Sequence, residues 1–127
     1  MVATSLNNLA TVYRKQGRYA EAEPLYQRAL SIREKAMGPE HPQTAESLNN
    51  LAVLYLAQGK YTQGEPFFRR ALTIKEKVLG LEHPDVATTL ENYAALLRKT
   101  GRKVEAKELE ARAKAIRAKQ VQENPTR

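Results

Sequence analysis

The chain has no cysteine and no tryptophan, and only six tyrosines and two phenylalanines among its 127 residues. Without cysteine there is no disulfide, no thiolate metal site and no cysteine nucleophile, and an intracellular, cytoplasmic setting is the expectation. So few rings leave no large aromatic core. Long apolar runs are missing too: none approaches the length of a membrane span, and Met1 is not followed by a charged-then-apolar leader. His41 and His83 do not form an i, i+4 pair, the glycines are isolated rather than gathered into a phosphate loop, and no base–nucleophile constellation stands out. These absences lead to the expectation of a non-enzyme with no cofactor, no metal site and no membrane segment.

What the chain does have is a phrase that returns. Ser5-Leu6-Asn7-Asn8-Leu9-Ala10 comes back as Ser47-Leu48-Asn49-Asn50-Leu51-Ala52, and in altered form as Thr89-Leu90-Glu91-Asn92-Tyr93-Ala94, each time 42 residues on. A period of that length signals a solenoid, in which no copy buries its own apolar face and each must stack on its neighbour. About half of the positions in the first two copies are identical. The period divides the chain into 2–43, 44–85 and 86–121, with a polar, flexible tail at 122–127 that contains Pro125.

Each copy reads as two helices. In the first copy, Leu6, Leu9, Ala10 and Tyr13 fall on one helical face between Val2 and Gln16, and Gly17 closes the segment. Ala22, Leu25, Tyr26, Ala29 and Leu30 mark a second face between Tyr19 and Met37, which Gly38 and Pro39 end. Pro24 and Pro66 fall early in the second helices, where each forfeits about one backbone hydrogen bond and is expected to bend rather than break the helix. Gly64 replaces Ala22, at a cost of about 1 kcal/mol unless close backbone packing offsets it. Asp85 reads as the N-cap of the helix after Pro84. His41 and His83 occupy equivalent loops, which points to capping or packing of the turn.

The fold class that follows is all-α, six helices in three helix–turn–helix repeats. The last helix, from about Val104, carries Glu110 where the earlier copies have Tyr26 and Phe68, and Lys114 where they have Leu30 and Leu72. A stack must end on a face that tolerates water, and this helix qualifies as a polar cap. The first helix has no such device before it. It is expected to expose apolar surface and to invite a homo-oligomer, as a fragment of a longer array or an engineered repeat protein would.

The formal charge of +7 divides as roughly +2, 0 and +5 over the three copies. Such a field either only solvates the surface or favours anionic partners. Lys103, Lys107, Arg112, Lys114, Arg117 and Lys119 give the last helix a basic surface, but Glu105, Glu108 and Glu110 interrupt it and no aromatics are interleaved. Nucleic acid is therefore a lesser alternative to a protein partner.

Small Ala10, Ala22 and Ala29, with Leu9, Tyr13 and Tyr26 between them, resemble the tetratricopeptide repeat (TPR). The long period, "SLNNLA", "HPDVATTL" (His83 to Leu90) and "GRYAEAEPLYQRALSIREKAMG" (Gly17 to Gly38) resemble its kinesin-light-chain type over essentially the whole chain. The resemblance implies a right-handed α-solenoid serving as a protein-interaction scaffold or adaptor. The first helices would line a concave groove that holds a peptide or partner segment. On that analogy the groove includes Asn7, Asn8, Thr11, Arg14 and Lys15, then Asn49, Asn50 and Val53, then Glu91, Asn92, Arg98 and Lys99. Amide side chains suit an extended peptide backbone, and the cationic pairs suit acidic side chains. The second asparagine of each copy has an alternative role, bonding a neighbouring helix backbone. The family's mode of holding a chaperone's C-terminal carboxylate uses several cations. The matching positions are Asn7, Thr11, Asn50, Thr88 and Asn92, so that activity is not expected.

Overall fold

The 42-residue period resolves into six helices in the computed structural model, which describes residues 2–123. They are α1 (Val2–Lys15), α2 (Tyr19–Met37), α3 (Pro42–Ala57), α4 (Tyr61–Leu79), α5 (Pro84–Lys99) and α6 (Lys103–Glu123), with no strand among the described residues. Each first helix ends at a glycine, Gly17, Gly59 or Gly101, with φ of +77°, +76° and +82°. There a side chain would crowd the backbone and glycine does not. α3 and α5 open on Pro42 and Pro84, ahead of the divisions at 44 and 86 that the period suggests. α6 includes Gln122 and Glu123, which the sequence assigns to a flexible tail; the rest of that tail lies outside the described residues.

The caps differ from expectation in one place. The N-cap of α5 is His83, not Asp85: its Nδ1 accepts the Asp85 backbone N–H at 3.0 Å, and Pro84 takes the first helical position. Proline needs no acceptor there, so the cap falls one residue before it. His41 does the same for Gln43, also at 3.0 Å. The equivalence of the two histidines is thus a matter of turn architecture. Pro24 and Pro66 sit inside α2 and α4, and neither breaks its helix.

Packing follows the two apolar faces. Tyr26, Leu30, Leu48, Leu51, Leu54 and Ile74 belong to one buried cluster, and Phe68, Leu72, Val86, Leu90, Leu96 and Ile116 to the other. Phe67 packs against both, its ring 5.7 Å from that of Tyr55. A side chain such as Leu48 or Leu90, fully buried, contributes about 1.5–3 kcal/mol. Gly64 is buried because a Cβ there would lie 3.1 Å from Tyr55 Cβ and 3.3 Å from the Ala52 carbonyl. The absence of a Cβ at this residue lets α4 lie close against α3.

The seams between successive pairs contain a buried cation. Arg33 of α2 is 3% exposed and donates to Gln43 O at 3.0 Å, Ser47 Oγ at 3.2 Å and Thr4 Oγ1 at 3.2 Å. One period on, Lys75 of α4 is 7% exposed and donates to Thr89 Oγ1 at 3.0 Å. Along the second helices and the turns that follow them runs a ladder of exposed or half-exposed ion pairs. Glu34 meets Arg70 at 2.9 Å, and its equivalent Glu76 meets Arg112 at 2.5 Å. Glu40 pairs with Lys77, and its equivalent Glu82 with Lys119.

Candidate functional site

The curvature of the stack defines its working face. The first helices of neighbouring pairs approach one another directly, α1 with α3 and α3 with α5, whereas no such approach joins α2 to α4 or α4 to α6 among the described residues. Long second-helix side chains bridge that wider gap, as in the ion-pair ladder. The stack therefore bends toward α1, α3 and α5, and their outer faces line the hollow side.

On that side the asparagines part company. Asn7 is 4% exposed; its Nδ2 donates to Ser47 Oγ at 3.3 Å and its Oδ1 is buried without a partner. It joins α1 to α3 and is not a free groove donor. Asn49 is half-buried, and its Oδ1 is likewise sealed from water. The second asparagine of each copy behaves in the opposite way. Asn8 is exposed, Asn50 and Asn92 are half-buried, and none of the three has a hydrogen-bond partner among the described residues. The alternative role of these three, bonding a neighbouring helix backbone, is thus not seen, whereas Asn7, the first asparagine of the first copy, joins two helices.

The charges are also redistributed. Arg98, expected to receive an acidic ligand, is held by Glu110, with Nε donating at 2.7 Å. That bond keeps the Glu110 carboxyl below the ordinary carboxylate range. Glu91 is bound by Arg117 through Nε at 2.8 Å, which lowers its own titration in the same direction. Arg14 is half-buried, its Nε directed to the Tyr26 hydroxyl at 3.4 Å, and Thr11 shares a 2.7 Å hydrogen bond with the same hydroxyl. Lys15 and Lys99 are exposed and without partners among the described residues. Val53 and Leu56 are half-buried against the core and give the middle of the face an apolar floor.

Two sets of residues were not singled out by the sequence. One is the buried pair Arg33 and Lys75. The other is the neutralisation of Arg98 by Glu110, for which a signal existed: Glu110 occupies the position of Tyr26, and Arg98 that of Arg14. The tyrosine contact of the first copy becomes an ion pair in the third. The basic surface of α6 is neutralised in part as well, Arg112 by Glu76, Arg117 by Glu91 and Lys119 by Glu82. No group of carboxylates and histidines among the described residues converges to hold a metal ion.

A tetratricopeptide repeat family model matches residues 1–74 and 47–119. Among solved structures, BtubC (BKLC) from P. vanneervenii superimposes with a TM-score of 0.86 at 31% identity, over 94% of this chain and 48% of that one. A Podosopora anserina protein described as a kinesin light chain, with nearly identical TPR-like repeats, gives a TM-score of 0.85 at 30% identity, over 92% of this chain and 56% of its own. The chain thus spans about half the length of these solved relatives. No curated protein matches the sequence.

Proposed function

This chain belongs to the tetratricopeptide repeat family, in its kinesin-light-chain-like form, and on that premise we propose that it is a cytoplasmic adaptor whose hollow face holds an extended peptide of acidic character. The fold is a non-catalytic scaffold that generally mediates protein–protein interaction. No helix of the described residues is long and apolar enough to cross a membrane.

The observation that carries the reading is the row Asn8, Asn50, Asn92. Three amides recur one period apart, all unpaired and all within reach of solvent. An amide offers donors and an acceptor at once, and an extended backbone presents both. The unpaired ammonium groups of Lys15 and Lys99 flank this row and suit carboxylates of the ligand. Arg98 joins them only if a ligand displaces Glu110. Asn7, bonded to Ser47, belongs to the scaffold that carries the row.

A peptide array probed with the chain and with the combined variant Asn50→Ala, Asn92→Ala, Lys99→Ala tests the proposal. Acidic peptides are expected to dominate the hits. The variant is expected to lose affinity by on the order of tenfold or more, the sum of two neutral hydrogen bonds and a screened charge. Hits without acidic residues, or binding untouched by the variant, would set it aside.

A further inference from the structure

The stack has two edges, and they carry opposite charge. The turns within the helix pairs, 16–18, 58–60 and 100–102, are each three residues long and lie along one edge. Hydrogen bonds from Tyr55 to Glu23 and from Tyr93 to Glu65 hold the end of a first helix beside the start of the second helix before it. The turns between the pairs lie along the other edge. Residues 14–23, 56–65 and 98–107, around the first edge, contain nine lysines and arginines against four glutamates. Residues 34–46 and 76–88, around the second, contain six carboxylates against two lysines.

The cations of the first edge divide by role. Arg18 is tied to Glu21, Arg102 to Glu65 and Glu105, and Arg98 to Glu110, while Arg14 points at the Tyr26 hydroxyl. Lys15, Lys60, Lys99 and Lys103 are exposed and have no partner among the described residues. At least one of these ammonium groups stands at each of the three turns, so the row advances with the stack. Val104, 73% exposed, stands next to Lys103 in the first turn of α6, where Cβ atoms lean back toward the edge.

We infer that this basic edge docks on an anionic lipid surface. Three turns of equal length give a level edge, and a flat polyanion meets all of them at once. A bilayer rich in acidic lipids attracts each lysine near it, and the attraction fades within a Debye length. The acidic edge lies on the far side, so the same field turns the basic edge toward the bilayer. Single-stranded nucleic acid fits less well. Arg18 covers the Tyr13 ring at 4.6 Å, and Tyr19 and Tyr61 pack against the core, so these rings offer no open platform for a stacked base. Lys60 and Lys103 stand where α4 and α6 begin, apart from the asparagine row on the first helices. The hollow face therefore stays open to its own ligand.

Co-sedimentation with vesicles tests the inference. The chain is expected to pellet with phosphatidylcholine vesicles that contain about one part in three phosphatidylserine, and to come off as salt rises. Vesicles of phosphatidylcholine alone are expected to leave it in solution. Each lysine contributes about fivefold to such partition, so Lys60→Ala with Lys103→Ala is expected to lower it by roughly twentyfold. Arg28→Ala with Lys35→Ala removes the same charge away from this edge, from side chains equally without partners, and is expected to change it by less than about twofold. Urea unfolding of both variants is expected to match the parent chain. Asn50→Ala with Asn92→Ala is expected to keep vesicle binding intact, which separates the edge from the hollow face. No pelleting with the acidic vesicles overturns the inference, as does equal pelleting with the neutral ones or equal loss in the two charge variants. A random DNA duplex that binds more tightly than the vesicles, through the same two lysines, would make nucleic acid the occupant and overturn it too.

Discussion

The two seams of the stack, α2 against α3 and α4 against α5, place a cation at the same position and treat it differently. Arg33 spreads its charge over a backbone carbonyl and two hydroxyls, with Glu46 3.5 Å away at the rim. Lys75 meets a single hydroxyl, that of Thr89, and burial pushes its titration below the ordinary value of 10.5 despite the pull of Asp85 and Glu46. The lesson is about donor geometry. A planar guanidinium joins three elements, α1, α2 and α3, through fixed directions, while an ammonium on a flexible stem makes one bond and bears the desolvation. The first seam is fastened by its cation; the second tolerates it.

The largest expected effect comes from breaking the fastened seam. Arg33→Met leaves Ser47, Thr4 and the Gln43 carbonyl short of a donor and is expected to cost about 2 kcal/mol in urea unfolding. Next is the contact inside each helix pair, where the first has Ala22 and the second Gly64. Ala22→Gly is expected to lose about 1 kcal/mol through helix propensity and lost contact. The reverse change, Gly64→Ala, is also expected to lose about 1 kcal/mol, because the new Cβ meets the Ala52 carbonyl and Tyr55. Stabilisation by Gly64→Ala would show that α4 can move off α3.

The tolerant seam gives a smaller signal with a distinctive pH dependence. Lys75→Met is expected to shift stability by less than about 1 kcal/mol at neutral pH, in the stabilising direction if desolvation dominates. Between its lowered value and 10.5, Lys75 binds fewer protons in the folded state than in the unfolded chain. Stability of the parent chain therefore rises with pH through that window relative to Lys75→Met. The comparison with the variant is needed because Tyr55 and Tyr93 oppose it. Burial and then their hydrogen bonds to Glu23 and Glu65 raise both above the ordinary 10.0, so their contribution is lost as pH climbs past that value. A flat difference between the two proteins would remove the distinction between the seams. The smallest effect belongs to the outer ladder: Glu34→Ala and Glu76→Ala are each expected to cost about 0.5 kcal/mol or less, and less still at high salt.

The period and the helical faces were legible because repetition is written at single-residue resolution. Tyr26, Phe68, Leu30 and Leu72 fall where the spacing puts them. What resisted reading was the direction of individual polar side chains. Asn7 and Asn8 are adjacent and chemically identical, and a rotation of about 100° per residue separates a buried seam from open solvent. The helical face alone places both near the border. Arg33 was not singled out because an arginine at a helix border reaches either way. Arg98 looked free because its partner, Glu110, lies on another helix. The N-cap was misplaced because Asp85 is the commoner capping residue, while the proline in front of it had already fixed where the helix begins.

Among the described residues, backbone contacts between helices never reach further along the chain than from α1 to α3 or from α3 to α5. The polypeptide never has to find a segment at the far end of itself, and the longest loop it closes is about one period. Assembly of this kind starts from any neighbouring pair and spreads outward quickly. It also comes apart piecemeal: α1 can fray in solution while the pairs around Phe67 stay folded, so different probes would report different melting points for the same molecule.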